Sequence, residues 1–105
     1  MARTTEMLID PDDLVGEIEQ SLLVVRDSQR LDELAHPERE HSLEQIRRRE
    51  RTAMFDVTVA LLIRLRLSID ADDTRRAVHR VGEASGHDSA AWARGCAEYI
   101  SELAV

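Results

Sequence analysis

From Ser42 to Ser68 no Gly or Pro interrupts the chain, and from Ala53 to Ile69 it is made largely of Val, Leu, Ile and Ala. Such a run becomes either one long helix or one very long strand, and in either form it must find cover. Val57, Val59, Leu61, Ile63, Leu65, Leu67 and Ile69 alternate with Thr58, Ala60, Leu62, Arg64, Arg66 and Ser68, which is the two-residue period of a strand. A strand over 57–69 would be unusually long, only Leu22 to Arg26 offers a partner, and an isolated strand pair is barely stable. Ala, Leu and Arg are good helix formers. Helix is therefore the preferred reading, starting at Glu38 or at Ser42, ending near Ser68, and roughly 40 Å long. An α+β fold with a strand at about 57–69 is the alternative. As a helix, Met54 to Ile69 points apolar side chains in all directions, so it should be central and shielded on every side.

Three further helices supply that cover. Asp10-Pro11 is a start signal, and Leu14, Ile18, Leu22 and Val25 form one stripe that weakens toward Leu31 and Leu34, giving a helix over about 11–35. It should stop near His36, because Pro37 disfavours helical geometry in the residue before it. Ser42 with Gln45 fits a capping box. Asp70 to Asp73 offers caps for a third helix with Ala77, Val78, Val81 and Ala84 inward, and Gly86 is placed to end it in a left-handed conformation. Asp88 or Ser89 opens a fourth, with Trp92, Cys96, Tyr99 and Leu103 inward, Ala93, Ala97 and Ile100 beside them, and Gly95 allowing close approach of a neighbour. The expected fold is all-α, a four-helix bundle-like single domain over 1–105, completed by homodimerisation because two copies cover the apolar helix more easily than one.

Composition narrows the function. All 14 basic residues are Arg, and the 105-residue chain has neither Lys nor Asn. That removes a phosphate-loop lysine, a Schiff-base lysine, and a Cys/His/Asn protease. The single Cys96 cannot form an internal disulfide. Met1 to Ile9 carries no apolar core of signal-peptide length, and the apolar stretch Ala53 to Ile63 falls well short of the about 20 residues a membrane span needs. The expectation is a cytoplasmic protein with no membrane segment.

Charge is uneven: residues 1–35 carry net −6, 36–66 net +2 and 67–105 net −3, within a total of −7. Arg47, Arg48, Arg49 and Arg51 could face phosphates, but consecutive residues sweep around a helix rather than forming a stripe, and Glu44 stands four before Arg48 as a surface ion pair. Overall acidity and only three aromatics argue against nucleic acid. The acidic first helix is expected to lie against this basic segment, in the same chain or in a symmetry mate. Arg66 can reach Asp70, whereas Arg64 has no acid three or four positions away and needs a carboxylate from elsewhere. Candidate partner-binding residues are Glu17, Arg47, Arg48, Arg51 and Arg64.

His36, Glu38, Glu40, His41 and Glu44 are the densest set of possible metal ligands. Glu38 and His41 have the Glu-x-x-His spacing that places both on one helix face in di-iron bundles. Glu38 to Arg49 locally resembles the metal-binding stretch of encapsulated ferritins, a Glu-x-x-His followed by an Arg cluster, over about a tenth of the chain. The resemblance implies a metal-carboxylate site with Glu38 and His41 as ligands, completed by another Glu such as Glu17 or Glu19 and by dimerisation. The plainer account is a solvated turn. His79 with Glu83, and Ser85 with His87 and Asp88, invite a catalytic reading, but Gly82 and Gly86 frame Ser85 with the wrong spacing for a nucleophile elbow. Cys96, striped with Trp92 and Tyr99, reads as a buried, unreactive thiol. Gly86 with the turns from Ser89 to Arg94 could also form a helix-turn-helix, though Ser89 and Arg94 are all it offers to base edges. The preferred expectation is a non-enzymatic regulator, adaptor, antitoxin-like or immunity-like protein that needs no cofactor and acts through helical surfaces on itself and on another protein. A di-iron, ferritin-like protein and a DNA-binding regulator are the alternatives.

Overall fold

The computed structural model describes residues 9–104; the reading of Met1 to Ile9 lies almost wholly outside them. Four helices follow one another: α1 (Asp12–Ala35), α2 (Leu43–Arg64), α3 (Ala71–Ala84) and α4 (Ser89–Leu103). No strand occurs among the described residues, so the α+β alternative falls. No described helix is long and apolar enough to cross a membrane.

The starts follow the capping residues. Asp12 N–H donates to Asp10 Oδ1 at 2.9 Å, Gln45 N–H to the Ser42 hydroxyl at 3.2 Å, Asp73 N–H to Asp70 Oδ1 at 3.0 Å, and Ala91 N–H to Asp88 Oδ2 at 3.0 Å. Of the two possible starts for α2, Ser42 is the one used, and Pro37 to His41 belong to the connection.

α2 ends four residues before the expected Ser68. Arg66 adopts φ 60°, and the Arg66 and Leu67 amides donate back to the Ile63 and Leu62 carbonyls at 3.0 and 2.9 Å. This is a Schellman stop with Arg where Gly is usual. It turns the chain so that Leu65 and Leu67 return to the core. α3 ends in the same way at Gly86, φ 63°, with the His87 amide on the Gly82 carbonyl at 2.9 Å. Because Arg66 has left the helix, it makes no pair with Asp70, whose carboxylate caps α3 instead.

Each helix packs on its chain neighbours, α4 closes back on α1, and α2 meets α4 across the middle, while α1 and α3 stay apart at opposite corners. The core is Leu14, Ile18 and Leu22 of α1, Met54, Leu61 and Leu62 of α2, Val78 of α3, and Trp92, Ala93, Cys96, Ala97 and Ile100 of α4. The Trp92 indole is fully buried and donates to the Val78 carbonyl at 3.0 Å, which pins α4 to α3. Gly95 lets Val81 of α3 approach until a Cβ would overlap its side chain. Two buried threonines settle their hydroxyls locally: Thr58 donates to the Met54 carbonyl at 2.7 Å, and Thr74 shares a 3.0 Å hydrogen bond with Tyr99.

The expectation that Met54 to Ile69 is shielded on every side is not met. Ala60 faces solvent and Ile63 is 62% exposed. The most enclosed helix is α4, whose small residues let three neighbours close around it.

At 1.5 Å per residue, α1 and α2 are roughly 35 Å long and α3 and α4 roughly 21 Å. The first hairpin therefore overruns the second. The Arg26 side chain touches the α3–α4 turn at His87, so Asp27–Ala35 and Leu43–Arg49 project beyond the four-helix section. Leu43 lies on the same side of α2 as Met54 and Leu61, yet it is 64% exposed because nothing remains above it.

The left-handed Arg66 carries a backbone cost that Gly would not. Arg66→Gly is expected to stabilise the fold by about 0.5–1 kcal/mol after the entropy Gly gains in the unfolded chain. Gly86→Ala is expected to destabilise it by about 1 kcal/mol. Urea denaturation midpoints of both variants check the pair.

Candidate functional site

Where four helices give way to two, the Glu50 carboxylate is buried between two arginines. Arg26 Nε donates to Oε2 at 3.0 Å and its Nη2 to Oε1 at 3.4 Å, while Arg47 Nη1 reaches Oε1 at 2.9 Å. The Arg26 Nη2 also donates at 2.6 Å to the carbonyl of His87, a left-handed residue with φ 63°. Burial pushes the Glu50 carboxyl up, but the hydrogen bonds and charges of Arg26 and Arg47 outweigh it and hold the group below its ordinary value. One carboxylate thus ties α1, α2 and the α3–α4 turn together. A second polar layer lies above it in the overhang: Arg49 donates to the Gln29 side-chain oxygen at 2.5 Å, and the Gln29 amide nitrogen meets Glu33 at 3.2 Å and His41 at 3.1 Å.

This geometry sorts the candidate arginines. Arg47 faces inward and is spent on Glu50. Arg64 finds the distant carboxylate it needed in Glu17, with contacts of 2.8 and 3.3 Å across the exposed α1–α2 seam. Two candidate partner-binding residues therefore hold each other. Arg48 makes the expected pair with Glu44 at 3.5 Å and remains exposed, and Arg51 meets no carboxylate among the described residues.

Arg48 and Arg51 line a groove of about 640 Å³ between α2 and α3, opposite Arg75, Arg76, His79 and Arg80 of α3. Phe55 and Val78 form its apolar floor, the Arg75 guanidinium lies 4.6 Å from the centre of the Phe55 ring, and Asp56 is the one acid lining it. Arg75 and Arg76 pair only with Asp72 and Asp73 one turn back on the exposed face of their own helix, and Arg80 meets no carboxylate among the described residues.

The outer face of α1 carries a different feature. Leu23, Asp27, Arg30 and Leu34 fall within about 60° of one another around the helix, on the side away from the core residues. Leu23 is 38% exposed and Leu34 73%. Asp27 and Arg30 pair with each other at 3.2 Å in the open. Val24 and Leu31 flank this stripe along one edge and are also exposed.

Glu38 and His41 do not share a helix face, since both lie in the α1–α2 connection. Glu38 stands 3.5 Å from His36 Nδ1, while His41 sits between Gln29, the His36 carbonyl and Asp32. No group of three or more His, Cys, Asp or Glu placed to hold a metal ion occurs among the described residues. His87, rather than His79, pairs with Glu83, at 3.2 Å, and its ring meets Trp92 edge-on. The Ser85 hydroxyl donates to the Gly82 carbonyl at 3.1 Å, and Arg94 is engaged by Asp12 at 2.6 Å. Burial pushes the Cys96 thiol up to about 12, leaving it protonated.

Sequence reading missed Glu50 and Arg26 as a pair, because their separation of 24 residues carries no local signal. It missed the groove because Arg75, Arg76 and Arg80 sit in a segment of net negative charge. Of the outer face of α1, the spacing predicts Leu31 and Leu34 as the weak end of the core stripe, whereas both are exposed. Comparison of the chain with protein-family models, with curated proteins and with solved structures gives no match.

Since the folded Glu50 carboxyl is held below its ordinary value of 4.5, its contribution is fully present above that value and is lost as the pH falls through the depressed one. Glu50→Gln is expected to cost about 3 kcal/mol at neutral pH, the lower end of the range for breaking a buried pair, because both arginines can partly resolvate. Its stability should fall less steeply than the wild type's between neutral pH and pH about 3. Chemical denaturation across that range tests both statements.

Proposed function

We propose that this protein is a non-catalytic, cytoplasmic protein-interaction module that works as a homodimer paired through the outer face of α1 and acts by occupying another protein's surface. The observation that carries the reading is the order Leu23, Asp27, Arg30, Leu34 on an exposed face. Its spacing is the same read in either direction, and its two charges are opposite. An antiparallel two-fold pairing therefore places Leu23 of each copy against Leu34 of the other and Asp27 against Arg30, a self-complementary, isologous contact. A two-fold axis perpendicular to the helices brings Val24 and Leu31 of both copies to the same edge, extending the apolar contact. The internal Asp27–Arg30 pair is solvent-exposed and weak, so exchanging it for an intermolecular one costs little.

Engagement of the chemistry-bearing side chains supports a binding role over a catalytic one. The Cys96 thiol is enclosed and the Ser85 hydroxyl is spent on a carbonyl.

Light scattering at micromolar concentration is expected to give twice the chain mass for the wild type. Asp27→Arg sets like charges opposite each other twice per dimer and should weaken association at least about tenfold. The exchange Asp27→Arg with Arg30→Asp should restore it. A wild type that stays monomeric, or a single variant that associates as well as the wild type, overturns the proposal.

A further inference from the structure

Resting on the reading of this chain as an interaction module, we propose that the groove between α2 and α3 is the docking site for a short, carboxylate-rich segment of a partner protein. Five arginines converge on it from two helices, against Asp56 as the one acid in its lining. The chain as a whole carries net charge −7, so a cluster of five arginines is a local exception to its acidity. Arg51 and Arg80 have no carboxylate partner among the described residues, Arg48 and Arg76 are held only by exposed pairs within their own helices, and Arg75 is held by such a pair and by its contact with the Phe55 ring. Such pairs contribute little and are readily exchanged for an incoming carboxylate. Arg76 and Arg80 stand four apart on one helix face, a like-charge spacing that costs the isolated helix stability. A fold that needed these residues only for solubility could interleave acids here, as it does at Asp72 and Asp73 one turn earlier.

Shape and chemistry select the occupant. Guanidinium forks match carboxylates in pairs, and Phe55 with Val78 gives an apolar floor for the methylene stems of acidic side chains. Arg48 to Phe55 on α2 and Arg75 to Arg80 on α3 each span roughly 10 Å or less, room for about three or four extended residues. A nucleic acid would need phosphate contacts along a longer track, and its backbone would be repelled by the acidic remainder of the chain.

The test is fluorescence anisotropy of a labelled hexaglutamate peptide titrated with the whole protein at two salt concentrations. Binding that weakens with salt is expected, and Arg51→Glu combined with Arg80→Glu should reduce the affinity at least about tenfold with the helical circular dichroism unchanged. Both side chains lie at the groove rather than in the core, so folding should survive the change. Absence of peptide binding, undiminished binding by the double variant, or tighter binding of duplex DNA of equal charge overturns the proposal. The Asp27→Arg chain should keep the peptide affinity of the wild type. Loss of binding there would move the site to the contact between copies and overturn its assignment to this groove, whereas retained binding by a chain that never dimerises leaves the groove standing while the dimer reading fails.

Discussion

A carboxylate withdrawn from water must be satisfied on the spot, and Glu50 is satisfied by side chains from two helices and, through Arg26, by the backbone of a turn 37 residues further along the chain. A buried ion pair of this sort is weak evidence of stability, since desolvation consumes most of what the charges return. What it supplies is position. The Arg26 guanidinium can serve Glu50 and the His87 carbonyl together only when α1, α2 and the α3–α4 turn are in register. The turn in turn relies on two successive left-handed residues, Gly86 and His87, to present that carbonyl. The polar cluster thus marks the level at which the second hairpin stops and the first continues alone.

From that level upward the first hairpin has no apolar core. Gln29, Glu33, His41 and Arg49 satisfy one another there, and the leucines of the segment, Leu31, Leu34 and Leu43, are left outward or uncovered. Below it the packing is ordinary, and α4 accepts close neighbours because Ala93, Gly95 and Ala97 are small. The bundle is therefore divided by chemistry as well as by length: a dry section of four helices and a polar extension of two, with apolar side chains on its outside.

How far the sequence revealed this follows from the range over which each signal acts. Capping is local, so Asp10, Ser42, Asp70, Asp88 and Gly86 were readable, and the helix starts lie close to where those residues place them. The end of α2 was not readable, because Arg66 has no intrinsic preference for the left-handed region. It is held there by the return of Leu65 and Leu67 to the core, a tertiary demand that overrides local preference. The all-round apolar pattern of Met54 to Ile69 misled for the same reason. Ile63 is largely exposed and Leu67 is not helical, so the all-round pattern combines residues that never share one helix. Among the charges, Glu44 with Arg48 was legible and Glu17 with Arg64 was not, since the second pair exists only once α1 and α2 are antiparallel. The Glu-x-x-His spacing at Glu38 failed because spacing carries geometry only inside a helix, and Pro37 ends one helix before Ser42 begins the next.

The two surfaces left open by this packing lie on different helices and adjoin where Val24 shares a recess with Arg48 and Asp56. The stripe from Leu23 to Leu34 faces away from the bundle on α1, whereas the arginine groove lies between α2 and α3, and α1 and α3 make no contact with each other. Under the proposed pairing through α1, each copy would keep its own groove and the dimer would have two. For a partner with two acidic segments, the second contact would then be intramolecular, with an effective concentration fixed by the separation of the grooves and not by the partner's abundance. Individually weak ion pairs, screened and exposed as those of Arg48, Arg75 and Arg76 are, become sufficient under that condition. A groove too short to hold a long segment tightly would, in the proposed dimer, be presented twice.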